Sequence, residues 1–313
     1  MPFFQATPSI SIYYIDESPF SCHSPPKYTA LLIPGITCDL HDWNWQVPFL
    51  LEKGFRVITP DPRGQGRSSA PLPSENITSY PGPDASPEQI DYYPQSTASD
   101  LLALLTSLDI TSNVLIISHS LGTCAALQLA VHHPSLVCGV VLIDPLHCMP
   151  SSLCDQLFPS PEQATSAMRD MLGSGGEMYP STVPGWHRAW ITRRGMAQDP
   201  KITAAMVSAV WTDKDGLGRK EVSVEKHGGR KIKCPRLTVG NSEMWVATDA
   251  EEGMQGDKDE VVVITGVGHW LHQLKSEEFN DVLGKWLEKV GLVNEVAAST
   301  AGSQREVHGG EER

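Results

Sequence analysis

Ser118-His119-Ser120-Leu121-Gly122 is the stretch on which the fold turns. It follows the apolar run Asn113-Val114-Leu115-Ile116-Ile117 and opens Thr123-Cys124-Ala125-Ala126-Leu127-Gln128-Leu129-Ala130, a helix-forming segment. A buried strand that turns at once into a helix, with serine at the apex and small residues two places to either side, is a nucleophile elbow. The apex backbone is strained and its neighbours press close, so the flanks must be small. Gly122 meets that condition, and Ser118 stands where glycine is more usual. Such a turn lifts the Ser120 hydroxyl above the sheet edge, with the first helical N–H groups pointing at any anion that forms there. The competing reading is a serine that only caps a helix.

Strand-like and helix-like patterns alternate outward from this point. Residues 28–33 form a continuous apolar run that stops at Pro34-Gly35, as a buried parallel strand would. Residues 55–59 are the next strand and lead into Asp61-Pro62-Arg63-Gly64-Gln65-Gly66-Arg67-Ser68. Residues 9–15 alternate at period two and are expected to be the edge strand of an opening hairpin. Helices are expected at about 41–53 and at 97–108, with a long loop over 70–95. Further strands are expected at 137–144, 235–240 and 260–264, and an amphipathic helix at 279–290. Between 145 and about 233 the period is helical throughout.

The expectation is an α/β protein whose mostly parallel central sheet is flanked by helices, with a helical cap inserted after the sixth strand. The core takes 1–145 and 234–296, the cap 146–233, and 297–313 reads as a disordered tail.

Composition narrows the partners. The chain has 313 residues, 40% hydrophobic, enough for a large core. Its 24 basic and 37 acidic residues give a net charge of −13, which disfavours nucleic acid and anionic membrane and leaves neutral or apolar small molecules. Seven scattered cysteines without a Cys-x-x-Cys pair read as free thiols of a cytoplasmic protein. No secretory signal is evident, and no apolar run reaches the ~18 residues of a membrane span. No cofactor and no metal is expected: there is no His-x-x-x-His or cysteine pair, and the glycine-rich turn after Asp61 does not open a dinucleotide-binding helix.

Four segments together resemble the α/β-hydrolase fold superfamily over nearly the whole chain. They are Ile33-Pro34-Gly35-Ile36, Asp61 to Ser68, the Ser120 elbow and Gly266-Val267-Gly268-His269-Trp270, in that order. The resemblance implies Ser120 as nucleophile, His269 as its base, and an oxyanion hole made by the N–H groups of Ile36 and Leu121. Pro34 stands where relatives usually carry histidine. The acid that orients the imidazole has two candidates. Asp144 ends the strand 137–144, a position used by haloalkane dehalogenases and zearalenone-type lactonases. Glu243, in Gly240-Asn241-Ser242-Glu243, lies where the superfamily more often places its acid. Asp144 is preferred because a strand-terminal carboxylate is rigidly aimed, and Glu243 stays as the alternative.

The resemblance also implies a serine hydrolase acting on an ester or lactone of a mainly apolar small molecule, as monomer or homodimer. His119, Trp186 and Trp190 are expected to line the substrate pocket, the two tryptophans sharing one helical face. The same residues would serve a C–C bond hydrolase or an acyltransferase, and the fold also serves as a ligand receptor. Epoxide hydrolases and haloalkane dehalogenases use aspartate where this chain has Ser120.

Overall fold

The computed structural model describes residues 2–293 except 20–24, 76, 78, 83–85, 87–88, 164–165, 167–178, 229–230 and 254–255. The expected tail at 297–313 lies outside the described residues. Eight strands form one sheet: β1 (Phe3–Thr7), β2 (Ile10–Glu17), β3 (Thr29–Ile33), β4 (Arg56–Pro60), β5 (Val114–His119), β6 (Val137–Ile143), β7 (Arg236–Gly240) and β8 (Glu260–Val263). Their order across the sheet is β1-β2-β4-β3-β5-β6-β7-β8. β1 and β2 pair antiparallel to their neighbours and the other pairs are parallel. β2 is therefore interior, flanked by β1 and β4, and β1 takes the edge that the sequence pattern had assigned to residues 9–15.

The central strands are apolar on both faces because both faces are covered. Leu31, Ile33, Val114, Ile116, Val140 and Leu142 point into one layer with Leu101, Leu105, Cys124 and Leu129. The alternate residues Ala30, Leu32, Leu115, Ile117, Val141 and Ile143 point into the other, against Trp43, Leu50, Phe279, Leu283 and Trp286. Apart from Trp43, the helical side chains named here are carried by α1 (Gln46–Glu52), α2 (Pro94–Ser107), α3 (Gly122–His132) and, at the C-terminal side, α10 (Ser276–Val290). The segment expected to be one helix at 41–53 divides instead into a 3₁₀ turn, Leu40–Trp43, and α1. Asp39 caps that turn, its carboxylate accepting from the His41 N–H.

Between β6 and β7 the described chain is helical: α4 (Ser151–Leu157), α5 (Gly185–Ala197), α6 (Pro200–Val207) and α7 (Lys220–His227). α8 (Glu243–Thr248) follows β7, and α9 (Leu271–Leu274) precedes α10. The insertion is fixed to the sheet by apolar and polar contacts. Trp211 stacks on Phe158, with ring centroids 4.7 Å apart, and both join the core layer under α3. Thr182 Oγ1 donates to the Gly266 carbonyl at 2.7 Å, and Tyr93 Oη to Asp213 at 2.9 Å. Among the described residues no helix is long and apolar enough to cross a membrane.

The loop after β4 is held by two buried carboxylates. Asp61 accepts from the N–H groups of Leu40 and Arg67, both at 2.8 Å, and so ties the turn after β3 to the turn after β4. Arg63 forks onto Asp100 of α2 at 2.7 and 2.8 Å, with both side chains buried. Removing one partner leaves the other as an uncompensated interior charge, which costs about 3–5 kcal/mol. Arg63→Ala is accordingly expected to lower unfolding free energy by about that amount. Urea denaturation measures it, and an unchanged midpoint would contradict the anchoring role.

Candidate active site

The functional side chains collect at the C-terminal ends of the parallel strands, and backbone strain marks where. Thr37 after β3, Ser120 after β5 and Asp144 after β6 have φ of 58°, 54° and 43°. A non-glycine residue at positive φ is uncommon and is kept only when its surroundings over-determine it. At Ser120 the constraint is plain. Its N–H donates to the Ile143 carbonyl at 2.9 Å, and its carbonyl accepts from the N–H and hydroxyl of Thr123 at 3.0 and 2.6 Å. At Gly122 a Cβ would stand 2.6 and 2.7 Å from the carbonyl oxygens of Ile33 and Pro34, so α3 can begin there only with glycine. Ser118 is tolerated on the other flank because its hydroxyl donates to the Val141 carbonyl at 3.1 Å.

The loop expected to supply one half of an oxyanion hole lies against the elbow. A Cβ on Gly35 would come within 3.0 Å of both Ser120 Cβ and His119 Nδ1. Among the described residues, neither the Ile36 N–H nor the Leu121 N–H donates to a protein acceptor. Two unspent donors beside one serine are the requirement for stabilising a tetrahedral oxyanion.

His269 sits in a 3₁₀ turn after β8, reached through Gly266 and Gly268 at φ of 92° and 70°. Those left-handed positions let the chain double back so that the imidazole faces the neighbouring strand ends. Its Nδ1 lies 2.9 Å from Asp144 Oδ2. Asp144 is fully buried and has both oxygens occupied. Oδ1 accepts from the Asn241 N–H at 2.6 Å, and Oδ2 accepts from the Asn241 side-chain amide as well as from the imidazole. Glu243 begins α8 with its side chain exposed, and no bond joins it to His269 among the described residues. The structure thus brings Asp144, and not Glu243, to the imidazole. The Ser120 hydroxyl makes no hydrogen bond among the described residues; bonds of this kind often tighten only around substrate. Burial, and then the neighbouring His119, push the His269 proton affinity below the ordinary imidazole value, against the opposing pull of Asp144. The ring is held neutral, the form that can take a proton.

A sequence profile of the alpha/beta hydrolase family matches residues 30–282. The chain belongs to that family. Among curated members it is similar to the epoxide hydrolase srdG of Neurospora crassa, 30% identical over 146 residues, which are 46% of this chain and 37% of that protein. It is also similar to a putative carbamate hydrolase, RutD, of Variovorax paradoxus, 32% identical over 126 residues, 40% of this chain and 41% of that one. The chain thus spans less than half the length of these relatives. Among solved structures, a carboxylesterase of Nitrososphaera gargenis superposes with a TM-score of 0.67 at 22% identity, covering 93% of this chain and 99% of that one. An enol-lactonase of Burkholderia xenovorans gives 0.66 at 17% identity, covering 92% and 100%. At such identities the likeness is one of fold.

The three residues expected to line the pocket are placed as follows. His119 is fully buried beneath the elbow, packed on the rings of His269, Trp270 and His272, because its side chain points down from the strand end into the space between β5 and the turn after β8. Trp186 is 57% exposed on the outer side of α5. Trp190 lies beside it, centroids 6.5 Å apart, and packs on the cluster of Cys38, Tyr179, Ile191 and Trp270. The tryptophans do share a helix face, but it fills the seam under the insertion at Trp190 and meets solvent at Trp186.

A cavity of about 360 Å³ opens beside the turn after β3, lined by Thr37, Asp39, Gln65, Arg194 and Asp199 among others. Asp42, Arg194 and Asn241 went unnoticed in the sequence. Cys38, Asp42 and His119 offer donor atoms within 4.8 Å of one another. Asp42 is already neutralised by Arg194 at 2.7 Å, so a divalent cation there would add net charge to a buried site that is in balance.

Proposed function

We propose that this chain is a serine hydrolase that cleaves a carboxylic ester or lactone through an acyl-enzyme on Ser120. The observation that carries the reading is the buried Asp144–His269 pair at 2.9 Å, at the same sheet end as a strained serine flanked by two free N–H groups. Ser120 Oγ transfers its proton to His269 Nε2 and bonds to the carbonyl carbon, and the oxyanion rests on the N–H groups of Ile36 and Leu121. Asp144 holds the Nδ1 proton and stabilises the imidazolium. The imidazolium then protonates the leaving oxygen, which in a lactone stays tethered to the acyl group. Water, deprotonated by the same imidazole, attacks the acyl carbon and releases the acid and Ser120.

Serine argues for esters over the epoxides named for one relative. A serine oxygen that opens an epoxide forms an ether, which water does not cleave, whereas a carboxylate nucleophile forms an ester that it does. A panel of small aryl and alkyl esters, lactones and epoxides tests the reading. Turnover of at least one ester or lactone and of no epoxide is expected, and the converse would overturn it. The pH profile of kcat/KM adds a second check. Protonated His269 cannot accept the serine proton, so activity falls as pH drops through its pKa. With that pKa pushed down, the acid limb should have its midpoint below about 6.5 and be flat at neutrality. A midpoint above neutrality would contradict the buried, neutral imidazole.

A further inference from the structure

A line of buried polar contacts runs from the helical insertion to the backbone of His269, and the reaction as written above does not use it. It begins at Arg194, in the last turn of α5. The guanidinium lies over the Trp190 ring, 5.0 Å from its centroid, and donates to Asp42 Oδ1 at 2.7 Å. Its other terminal nitrogen is 3.3 Å from Asp39. Asp42 belongs to the 3₁₀ turn just after the oxyanion loop and is fully buried. Its Oδ1 also accepts from Gln273 at 3.0 Å, and its Oδ2 faces His119 Nδ1 at 3.7 Å. His119 in turn donates from Nε2 to the main-chain carbonyl of His269 at 3.0 Å. The chain Arg194, Asp42, His119, His269 therefore joins the insertion to the base, and its third member is bonded covalently to Ser120.

We infer that Arg194, Asp42 and His119 form a positioning relay, through which seating of the insertion fixes the backbone of His269 and hence the aim of its imidazole at Ser120. The inference rests on the reading of Ser120 and His269 as nucleophile and base. Three physical points carry it. First, a carboxylate buried as deeply as Asp42 is tolerable only when paired, and Arg194 is its one full counter-charge among the described residues apart from any proton shared with a histidine. The turn after the oxyanion loop therefore keeps its place only while α5 is docked. Second, His119 is held by its bond to the His269 carbonyl, and the ring orientation this requires turns Nδ1 towards Asp42 Oδ2 at 3.7 Å, a through-space electrostatic contact and not a hydrogen bond. Third, the His269 side chain is already committed to Asp144 at Nδ1, so the direction of Nε2 is set by where the main chain of residue 269 lies. A misplacement of about 1 Å at a reacting centre costs on the order of a hundredfold in rate. None of these residues touches the reacting carbonyl, and their effect is transmitted through His269.

The test is a double-mutant cycle in the full chain on an ester that the wild type cleaves. Arg194→Met and His119→Leu are each expected to lower kcat by about 100-fold, with KM changed far less. The double variant should lose little more than either alone, because both cut the same line. His119→Gln, whose amide nitrogen reaches about as far as Nε2, should recover most of what His119→Leu loses. A role in stability alone would leave kcat of the folded variants unchanged and would not distinguish glutamine from leucine. Additive losses, or equal losses with leucine and glutamine, would overturn the relay. Should Arg194→Met fail to fold, Arg194→Lys, which keeps the counter-charge, is expected to retain most of the wild-type kcat, and the comparison of His119→Leu with His119→Gln then carries the test. A wild-type protein that turns over no ester, yet binds ligands, would instead dispose of the hydrolase reading on which the relay depends.

Discussion

Ser120→Ala is expected to lower kcat on a cleaved ester by about a millionfold, leaving the ~10³–10⁴-fold advantage over water that bound donors alone can give. The size follows from the chemistry. Without the hydroxyl no acyl-enzyme forms, and the imidazole of His269 can at best activate water over a carbonyl held by the N–H groups of Ile36 and Leu121. The fold should barely notice the change. Ser120 Oγ makes no hydrogen bond among the described residues, and the strained turn is held by main-chain bonds to Ile143 and Thr123. Removing a hydroxyl that bonds to no protein group leaves the variant about as stable as the parent. A kcat within tenfold of wild type, in a protein that melts normally, would remove Ser120 as nucleophile.

The second large effect separates the two carboxylates. Asp144→Asn places an amide where His269 Nδ1 and the Asn241 amide both donate, so two donors meet a third and the imidazole loses the partner that fixes its tautomer. A loss of about 10⁴-fold in kcat is expected, with the backbone arrangement kept. Glu243→Gln alters an exposed side chain at the start of α8 and should leave kcat within about twofold, as surface changes away from special features do. Steady-state rates on one substrate, with melting curves for both proteins, decide between them. The reverse pattern would return the acid to Glu243.

Much of this was legible in the chain itself. Continuous apolar runs at 28–33 and 137–144 declare strands covered on both faces, and Gly122 declares an abrupt start to a helix, since nothing larger fits against the carbonyls of Ile33 and Pro34. The acid was harder for a physical reason. Asp144 and Glu243 both follow parallel strands and both precede His269, and chain order cannot tell which way a side chain leaves a strand end. That is set by the left-handed turn at Asp144 and by Asn241, which offers two donors to the Asp144 carboxylate from the next strand end. Arg194 and Asp42 were invisible for another reason: they are 152 residues apart, and no local pattern pairs a helix arginine with an aspartate in a short turn. The spacing of Trp186 and Trp190 correctly gave a shared helix face. It could not give what that face meets, which depends on how α5 lies on the core.

The central claim, that Ser120 is a nucleophile made reactive by His269 and Asp144, has one direct measurement. The protein is treated with a fluorophosphonate and the modified peptide is identified by mass spectrometry, for the wild type and for Asp144→Asn. The account predicts a single adduct on Ser120 in the wild type, forming orders of magnitude more slowly in Asp144→Asn. An ester-cleaving protein whose Ser120 stays unmodified, or that carries the adduct on another residue, would contradict it.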